Sequence, residues 1–583
     1  MCRSRPPSGR PRAAPADRDT VVHLLNRVTF GARAEDVDRV ERVGVERYID
    51  EQLRPELLAD DAVEARVRDL RAVAITPRAF ALEYYQPMVV ARREFTEAQR
   101  LTGASRAPFL RWHLLPILAL SLPGGDRPMT VVGQPAVTPE DARFQRMNQQ
   151  VFDEMQAQKL LRAVMSERQL QEVLTDFWFN HFNIDARKIE ERPVTAAYER
   201  DVIRPRVLGR FRDLLEATAT SPAMLFYLDN WLSAAPKAKG PGLNENYGRE
   251  LLELHTLGVN GGYTQRDVVE VARCFTGWSM ANPHDGMGFA FKPQMHDRGE
   301  KRVLGHRIKR GGGIDDGEAV LDLLARHPST ARFIATKLVR RFVSDVPPPR
   351  LADEAARTFR RSNGDLREVM RTILISPEFY APAARRAKMK SPLEFVASAL
   401  RASDATIRNP RPFVSTIANL GEPLYQSQPP TGYLDRGDVW LNTGALVDRM
   451  NFAFQFASFG LNAATIDRPS AEASLRRLLP DTAADDPSPL LCAERRSSPT
   501  VRTLMVARPN RAVAPSSRTA RSTPATIASP SRRAATPMDA GSSAVGEHHH
   551  PRPPDEDRPC ADDSARRGFA LHGGSAQRGR GRS

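Results

Sequence analysis

Apolar residues recur at helical spacing along most of this chain, and this periodicity constrains the fold more than any other feature. In the first such segment, Val21, Leu24, Leu25 and Val28 occur at positions i, i+3, i+4 and i+7, and Gly31 follows. Residues at these spacings share one face of an α-helix, so the segment predicts an amphipathic helix that ends before the glycine. Segments of this kind bury their apolar faces by packing helix against helix.

Polar residues mark the starts of further helices. Ser166 followed by Gln169 fits a capping box and predicts a helix over residues 167–182. Thr264 with Asp267 fits the same pattern and predicts a second helix. The chain is therefore expected to be mainly α, with one large multi-helix body.

The best strand candidate is the segment 288–308. Phe289 and Phe291 alternate with small or polar residues, and the turn-like His296–Gly299 leads into Val303. Alternation followed by a turn is typical of a β-hairpin. We expect a single small hairpin on the helical body.

The formal charge of +15 is concentrated at the two ends of the chain. Residues 491–583 carry 16 Arg against 8 acids, and residues 1–20 carry 5 Arg against 2 acids. The ends thus supply 11 of the 15 positive charges, and the long middle section is nearly neutral. A basic groove on the body is not indicated, so nucleic acid is an unlikely partner.

The composition divides the chain into three parts: a disordered N-terminal segment (1–18), a helical domain (19–465) and a low-complexity tail (466–583). Residues 491–583 hold 16 Arg, 12 Ser and 10 Pro but one aromatic residue, Phe569. Such a segment cannot bury enough apolar surface to offset its ordering entropy. The tail is either a disordered basic tail or the product of a frameshift near residue 490 in a GC-rich gene, and we favour the frameshift.

Cysteine usage and hydropathy exclude several classes of protein. The cysteines Cys2, Cys274, Cys492 and Cys560 are too far apart for a disulfide framework or a CxxC metal site. The longest apolar run, 114–122, is too short to span a membrane. The basic N-terminus has no apolar segment after it, so a cytoplasmic protein is expected by default, or an exported one if the start site is misassigned.

A polar helix is predicted over Leu243–Gly258. In it Asn246, Glu250 and Glu253 occur at i, i+4 and i+7 and could together bind a hard cation. Arg249 lies within reach of both Glu245 and Glu253 and can neutralise them, so an ion-paired helix is the favoured interpretation.

His181, which follows Asn180, falls at the end of an apolar helical stripe. A buried, hydrogen-bonded histidine is the favoured interpretation there. A metal site would need partners from other segments, and the candidates are His255, His306 and His296 with Asp297. The sequence contains no GxSxG, P-loop or GxGxxG motif that would indicate another chemistry.

Several long segments also occur together, in the same order, in a known family. They are FGARAEDVDRV, FWFNHF, PAMLFYLDN, NENYGRELLELHTLGVNGGYTQRDV, FTGW, HDRGEKRVLGH, KSPLEFV and QPPTGYLDRGDVWLNTGALVDRMNF. Over residues 20–460 the chain resembles the bacterial family of domain of unknown function 1800. The resemblance implies a large, mostly helical protein and implies no activity, cofactor or catalytic residue.

Two functional hypotheses follow. The first is a binding or assembly protein of unknown ligand, with a recognition surface on the polar helix and the loop Pro429–Tyr433. The alternative is a metal-dependent hydrolase that uses a divalent metal and a carboxylate base. The candidate residues for a polar pocket are Asn180, His181, Asn246, Arg249, Glu250, Glu253, His255, His296 and Asp297.

Overall fold

The computed structural model describes the chain in several stretches. They are residues 17–101, 138–189, 192–236, 242–282 and 287–457, with 464–465, 471, 474–475 and 477–478. The predictions of disorder or a frameshift at the two ends of the chain lie outside these residues, as does the apolar run 114–122.

Helices dominate the described residues. The α-helices are Arg18–Val28, Ala34–Val43, Val45–Gln52, Asp61–Arg68, Pro77–Phe80, Gln86–Leu101, Pro139–Met165, Gln169–His181, Arg192–Ala197, Phe211–Ala219, Pro222–Tyr227, Asn246–Glu250, Gln265–Cys274, Ile314–Arg326, Pro328–Phe342, Pro349–Arg361, Leu366–Leu374, Pro377–Tyr380, Pro392–Ala402, Arg411–Asn419 and Thr443–Ala457. Wider π-helical turns are formed by Ala81–Tyr85, Tyr198–Ile203 and Leu251–Thr256, and 3-10 turns by Pro55–Leu57, Arg204–Arg206, Asn230–Leu232 and Gly437–Trp440. The prediction of a mainly α protein is confirmed.

One predicted helix start is present and another differs. Thr264 caps its helix as expected, because its side chain accepts from the backbone N–H of Asp267, whose carboxylate accepts in return. The predicted capping box at Ser166 is wrong. Gln169 instead accepts from the backbone N–H of Phe30 at 3.0 Å, a contact between distant segments that spacing does not reveal.

The core is built around the helix Pro139–Met165, the longest of the described helices. It packs against the helices Asp61–Arg68, Gln86–Leu101, Pro392–Ala402 and Arg411–Asn419. One apolar cluster joins residues from Val21 to Leu478. No helix in the described part of the chain is long and apolar enough to cross a membrane.

The strands lie where a hairpin was expected, but they pair differently. Strand β1 (Trp278–Met280) pairs antiparallel with β2 (Phe289–Phe291), and β3 (Lys301–Val303) pairs with β4 (His306–Ile308). Leu304 and Gly305, both with positive φ, form the turn between β3 and β4, as a two-residue turn of that hand requires. The segment 288–308 therefore contributes to two strand pairs rather than one. A third, short pair joins Thr406–Ile407 (β5) to Ala464–Thr465 (β6).

The helix Pro328–Phe342 positions the site described next. Pro328 occupies its first turn, and the side chain of His327 accepts from the N–H of Ser329 at 3.2 Å. Ile334 and Leu338 belong to its buried face, which packs on the helices at 349–361 and 366–374. Its other face carries charged residues toward a cleft.

Candidate functional site

A cleft of about 270 Å³ lies between the helices Gln169–His181 and Pro328–Phe342, the start of Pro392–Ala402 and the segment 422–440. We call it the aromatic cleft, because its walls include the rings of Phe177, Phe333, Tyr433 and Trp440. Asn180 and His181, predicted as site residues, also line it. The cleft therefore gathers segments that lie more than 150 residues apart in the sequence.

Asn180 holds one wall of the cleft in place. Its amide donates to the backbone oxygen of Tyr433 at 2.7 Å, and its side-chain oxygen accepts from the N–H of the same residue at 2.7 Å. Asn183 donates to the backbone oxygen of Pro429 at 2.9 Å. A Cβ on Gly432 would come within 2.4 Å of the Asn180 backbone oxygen. The loop Pro429–Tyr433 is thus hydrogen-bonded to the helix, and both the NH2 group and the side-chain oxygen of Asn180 have partners in it.

His181 is buried and fully hydrogen-bonded. Its Nε2 lies 3.1 Å from the backbone oxygen of His255, and because a carbonyl oxygen can only accept, Nε2 carries the proton. Its Nδ1 lies 2.9 Å from Nζ of Lys337 and accepts a hydrogen bond from that amine. Burial and the charge of Lys337 hold the pKa of His181 well below its ordinary value. His181 is therefore a neutral ring whose only lone pair is engaged by a lysine.

His255 lies beside His181, with ring centroids 6.3 Å apart. Burial and the charge of Lys337 lower the pKa of His255 to about 3. It belongs to the π-helical turn Leu251–Thr256, which replaces the second half of the predicted α-helix. The structure thus brings together two of the predicted histidines, although they are 74 residues apart.

The start of the polar helix lies on the surface. Asn246 is exposed, and Arg249 pairs with Glu245 at 3.2 Å. Glu253 accepts from the hydroxyl of Tyr263 at 3.2 Å. These contacts join the helix to its own neighbours, and none of these residues lines the aromatic cleft.

Glu250, the remaining acid of that helix, is half-buried. Burial and the neighbouring carboxylate of Glu253 raise the pKa of Glu250, while Arg249 opposes the increase. Of this helix and the π-helical turn that follows it, Leu254 is the residue that lines the cleft. The predicted alignment of Asn246, Glu250 and Glu253 therefore does not contribute polar groups to the aromatic cleft.

His296 and Asp297 belong to a separate buried ion-pair network. His296 Nδ1 lies 2.8 Å from the backbone oxygen of Thr276, and its Nε2 lies 3.1 Å from Oδ2 of Asp316. The same carboxylate accepts from Nζ of Lys301 at 2.5 Å. Both ring nitrogens of His296 thus have oxygen partners within this network, away from the aromatic cleft.

Asp297 is bound by an arginine. Its carboxylate accepts from the Nε of Arg273 at 2.9 Å. Burial opposes ionisation of Asp297, but the Arg273 guanidinium outweighs it and lowers the pKa of that carboxyl. Asp297 and His296 therefore stabilise the β3–β4 region rather than the cleft.

The residues considered as metal ligands do not converge. Among the residues that the structure describes, no three His, Cys, Asp or Glu side chains are placed to hold a metal ion. His181 and His255 are neighbours, His296 is engaged in its own network, and His306 is exposed on β4. The metal-dependent hydrolase hypothesis thus finds no ligand set in the described part of the chain.

Lys337 and Arg340 are functional candidates that the sequence did not single out. They lie one turn apart on the helix Pro328–Phe342 and both line the cleft. Burial and the charge of Arg340 lower the pKa of Lys337 to about 8, although Asp435 opposes the decrease. Within the described structure neither side chain forms an ion pair with a carboxylate; Arg340 donates to the backbone oxygen of Asp345 at 3.4 Å.

Two carboxyl groups of the cleft differ in their surroundings. Asp176 pairs with Lys159 at 2.8 Å. Glu422 is buried and accepts from the backbone N–H of Leu393 at 2.8 Å. Burial and the charge of Asp176 raise the pKa of Glu422 to about 8, so this carboxyl is mainly protonated at neutral pH.

Comparisons with known proteins identify a family without identifying an activity. A family model described as "Protein of unknown function (DUF1800)" matches residues 23–535. No curated protein and no solved structure matches the chain.

Proposed function

This chain belongs to the DUF1800 family of proteins of unknown function, and we propose from its own geometry that it is a ligand-binding protein. Its ligand is a small anionic molecule with a flat or apolar part, which occupies the aromatic cleft. The observation that carries the proposal is the pair Lys337 and Arg340, two cations in this cleft without a carboxylate partner in the described structure.

Cations in a partly buried position are costly unless an anion compensates them. Two cations that also line the cleft have such a partner: Lys159 pairs with Asp176, and Arg341 pairs with Glu394 at 2.6 Å. Lys337 and Arg340 have no such pair in the described structure. A carboxylate or phosphate of the ligand would supply the missing charge, and the guanidinium of Arg340 would bind it through paired N–H groups.

The walls of the cleft indicate the rest of the ligand. Tyr433 and Trp440 pack with ring centroids 5.9 Å apart, and Phe333 lines the cleft beside Lys337. Aromatic walls favour a flat or apolar group, and the volume suits a small molecule rather than a polymer.

Asp435 adds a polar contact. Its Oδ1 pairs with Lys388 at 2.9 Å, whereas its buried Oδ2 has no hydrogen-bond partner among the described residues. A hydroxyl or N–H group of the ligand would satisfy this oxygen. The ligand therefore combines an anionic group, a hydrogen-bond donor and a flat part.

The test is binding of small aromatic acids to the full chain, measured by calorimetry. Benzoate and phenyl phosphate are the anionic probes, and benzyl alcohol is the neutral control. We expect Arg340→Gln to weaken binding of the anions roughly tenfold, which is about 1.4 kcal/mol. Arg332→Gln is the matched control, because Arg332 lies on the same helix but is exposed and pairs with Asp353. Equal binding of charged and neutral probes, or equal effects of the two substitutions, would refute the proposal.

A further inference from the structure

The amine of Lys337 lies where a ligand bound by Arg340 would meet it. We propose that Lys337 forms an imine with a ligand that carries an aldehyde or ketone carbonyl close to its anionic group. This inference rests on the proposed function and names the ligand as an anionic carbonyl compound, such as a 2-oxo acid.

The contacts of Lys337 leave its nitrogen without a carboxylate partner in the described structure. Its described hydrogen bond is to Nδ1 of His181, a neutral acceptor, at 2.9 Å. A carboxylate partner would hold Nζ as an ammonium ion, and none pairs with it in the described structure. Lys337 also lines the cleft, so its side chain borders the space that a bound molecule would occupy.

Burial is the main reason that Lys337 loses its proton more readily than an ordinary lysine. Arg340 repels the ammonium ion, Asp435 attracts it, and the rings of His181 and His255 are neutral. With a pKa of about 8, about a tenth of Lys337 is unprotonated at pH 7. For an ordinary lysine the fraction is about one in three thousand. Lys337 is thus a far better nucleophile at neutral pH than a surface lysine.

The residue type itself is informative in this chain. Arg outnumbers Lys by 75 to 10, so most positions that need only a positive charge are occupied by Arg. Four of the ten lysines line the aromatic cleft and an adjoining cleft that shares Arg341 with it; they are Lys159, Lys337, Lys388 and Lys390. Arg cannot lose its proton in a protein, whereas a buried Lys can. At position 337 an amine rather than a guanidinium fits a covalent role.

The reaction is a condensation that releases water. The lone pair of neutral Nζ attacks the carbonyl carbon, the C–N bond forms, and the electrons of the carbonyl double bond move to oxygen, which takes a proton. The nitrogen releases its proton to water in the cleft, and loss of the hydroxyl group as water then gives the C=N bond. An amine and a carbonyl thus yield an imine and one water, with no oxidant or reductant.

The test is reductive trapping in the full chain, followed by peptide mass analysis. Glyoxylate is the anionic carbonyl probe, propionaldehyde is the neutral one, and cyanoborohydride fixes any imine. We expect glyoxylate to label Lys337 at least tenfold faster than the exposed Lys309, with a rate whose rise with pH has its midpoint near pH 8. Labelling of Lys337 no faster than Lys309 would overturn the inference without any substitution.

Two variants separate this inference from the proposed function. Lys337→Arg removes the only amine at that position and cannot form an imine there, so the trapped adduct at residue 337 is lost. Arg340→Gln slows trapping by glyoxylate several-fold more than trapping by propionaldehyde, because both probes meet a less reactive amine and only glyoxylate also loses its cationic partner. Benzoate binding that depends on Arg340, without trapping at Lys337, overturns the imine alone. Fast trapping that is independent of Arg340 and equal for both probes overturns the anionic ligand and supports the reactive amine.

Discussion

The buried network around Asp316 allows a quantitative test of the structural role assigned to His296. The Asp316 carboxylate is almost completely buried and accepts from Lys301 at 2.5 Å and from His296 at 3.1 Å. Asp316→Asn preserves the shape of the side chain and removes its charge. Lys301, whose side chain is fully buried, then loses its closest counter-charge.

The expected cost follows from the remaining contacts. Removing one partner of a buried ion pair typically costs about 3 to 5 kcal/mol. Here Asp297 remains 4.0 Å from the Lys301 ammonium group, so the lower end of that range applies. We expect Asp316→Asn to lower the free energy of unfolding by about 3 kcal/mol, a large share of the roughly 5 to 15 kcal/mol of a typical domain.

Urea unfolding at pH 7, followed by circular dichroism, measures this loss. Asp315→Asn is the control, because Asp315 is the neighbouring residue on the same helix and is exposed. The double variant Asp316→Leu with Lys301→Met removes both charges and should recover most of the loss. A loss below about 1 kcal/mol, or an equal loss in the Asp315 variant, contradicts the assignment of this network as structural.

Two further predictions concern the loop and the buried histidines. Gly432→Ala places a Cβ against Asn180 at a positive φ, so it should lower the free energy of unfolding, measured by thermal denaturation, by about 2 kcal/mol and weaken the binding of aromatic acids. The control is Gly421→Ala, which has a positive φ in open space and should lower stability without changing binding. Burial lowers the pKa of His23 to about 4 and of His255 to about 3, while the unfolded chain binds these protons near pH 6.5. Stability should therefore fall as pH decreases from about 6.5 to 4, and urea unfolding of His23→Gln should show a shallower fall.

Local patterns predicted some helix starts because a cap is determined by neighbouring residues. The Thr264 cap depends on a residue three positions away, whereas the turn between β3 and β4 lies at Leu304 and Gly305 rather than at the predicted His296–Gly299. Pairing between strands depends on longer contacts, and the pairing of β2 with β1 was accordingly missed. Gln169 is a second example, because it was predicted to complete a capping box and instead accepts a hydrogen bond from the distant backbone N–H of Phe30.

The candidate site depends even more on distant contacts. His181 and His255 were named as possible partners, and their proximity arises from helices that are not adjacent in sequence. Lys337 was missed because a lone lysine between apolar residues resembles a solvated helix face. The scarcity of lysine in this chain is the sequence signal that could have identified it. His296 was proposed as a metal ligand because an acid follows it, but a histidine in this pattern can also belong to a buried ion-pair network, as it does here.

Lys301 and Lys337 should respond in opposite ways to removal of their charge. Lys301 has Asp316 as a close partner, so Lys301→Met leaves an uncompensated carboxylate and destabilises the fold. Lys337 has no such partner and a pKa lowered to about 8, so the folded state binds its proton less tightly than the unfolded chain, near 10.5.

Stability of the native chain should therefore increase from pH 8 to 10.5, and Lys337→Met should gain stability below pH 8. The shift alone corresponds to about 3 kcal/mol. Partial exposure to the cleft and loss of the bond to His181 reduce the expected gain to about 1 kcal/mol at pH 7, and it should vanish toward pH 10.5. Urea unfolding of both variants at pH 7 and pH 10 measures this contrast. Destabilisation of Lys337→Met at pH 7 would show that Lys337 is a structural residue, whereas a gain in stability accompanied by loss of ligand binding is the pattern expected of a functional one.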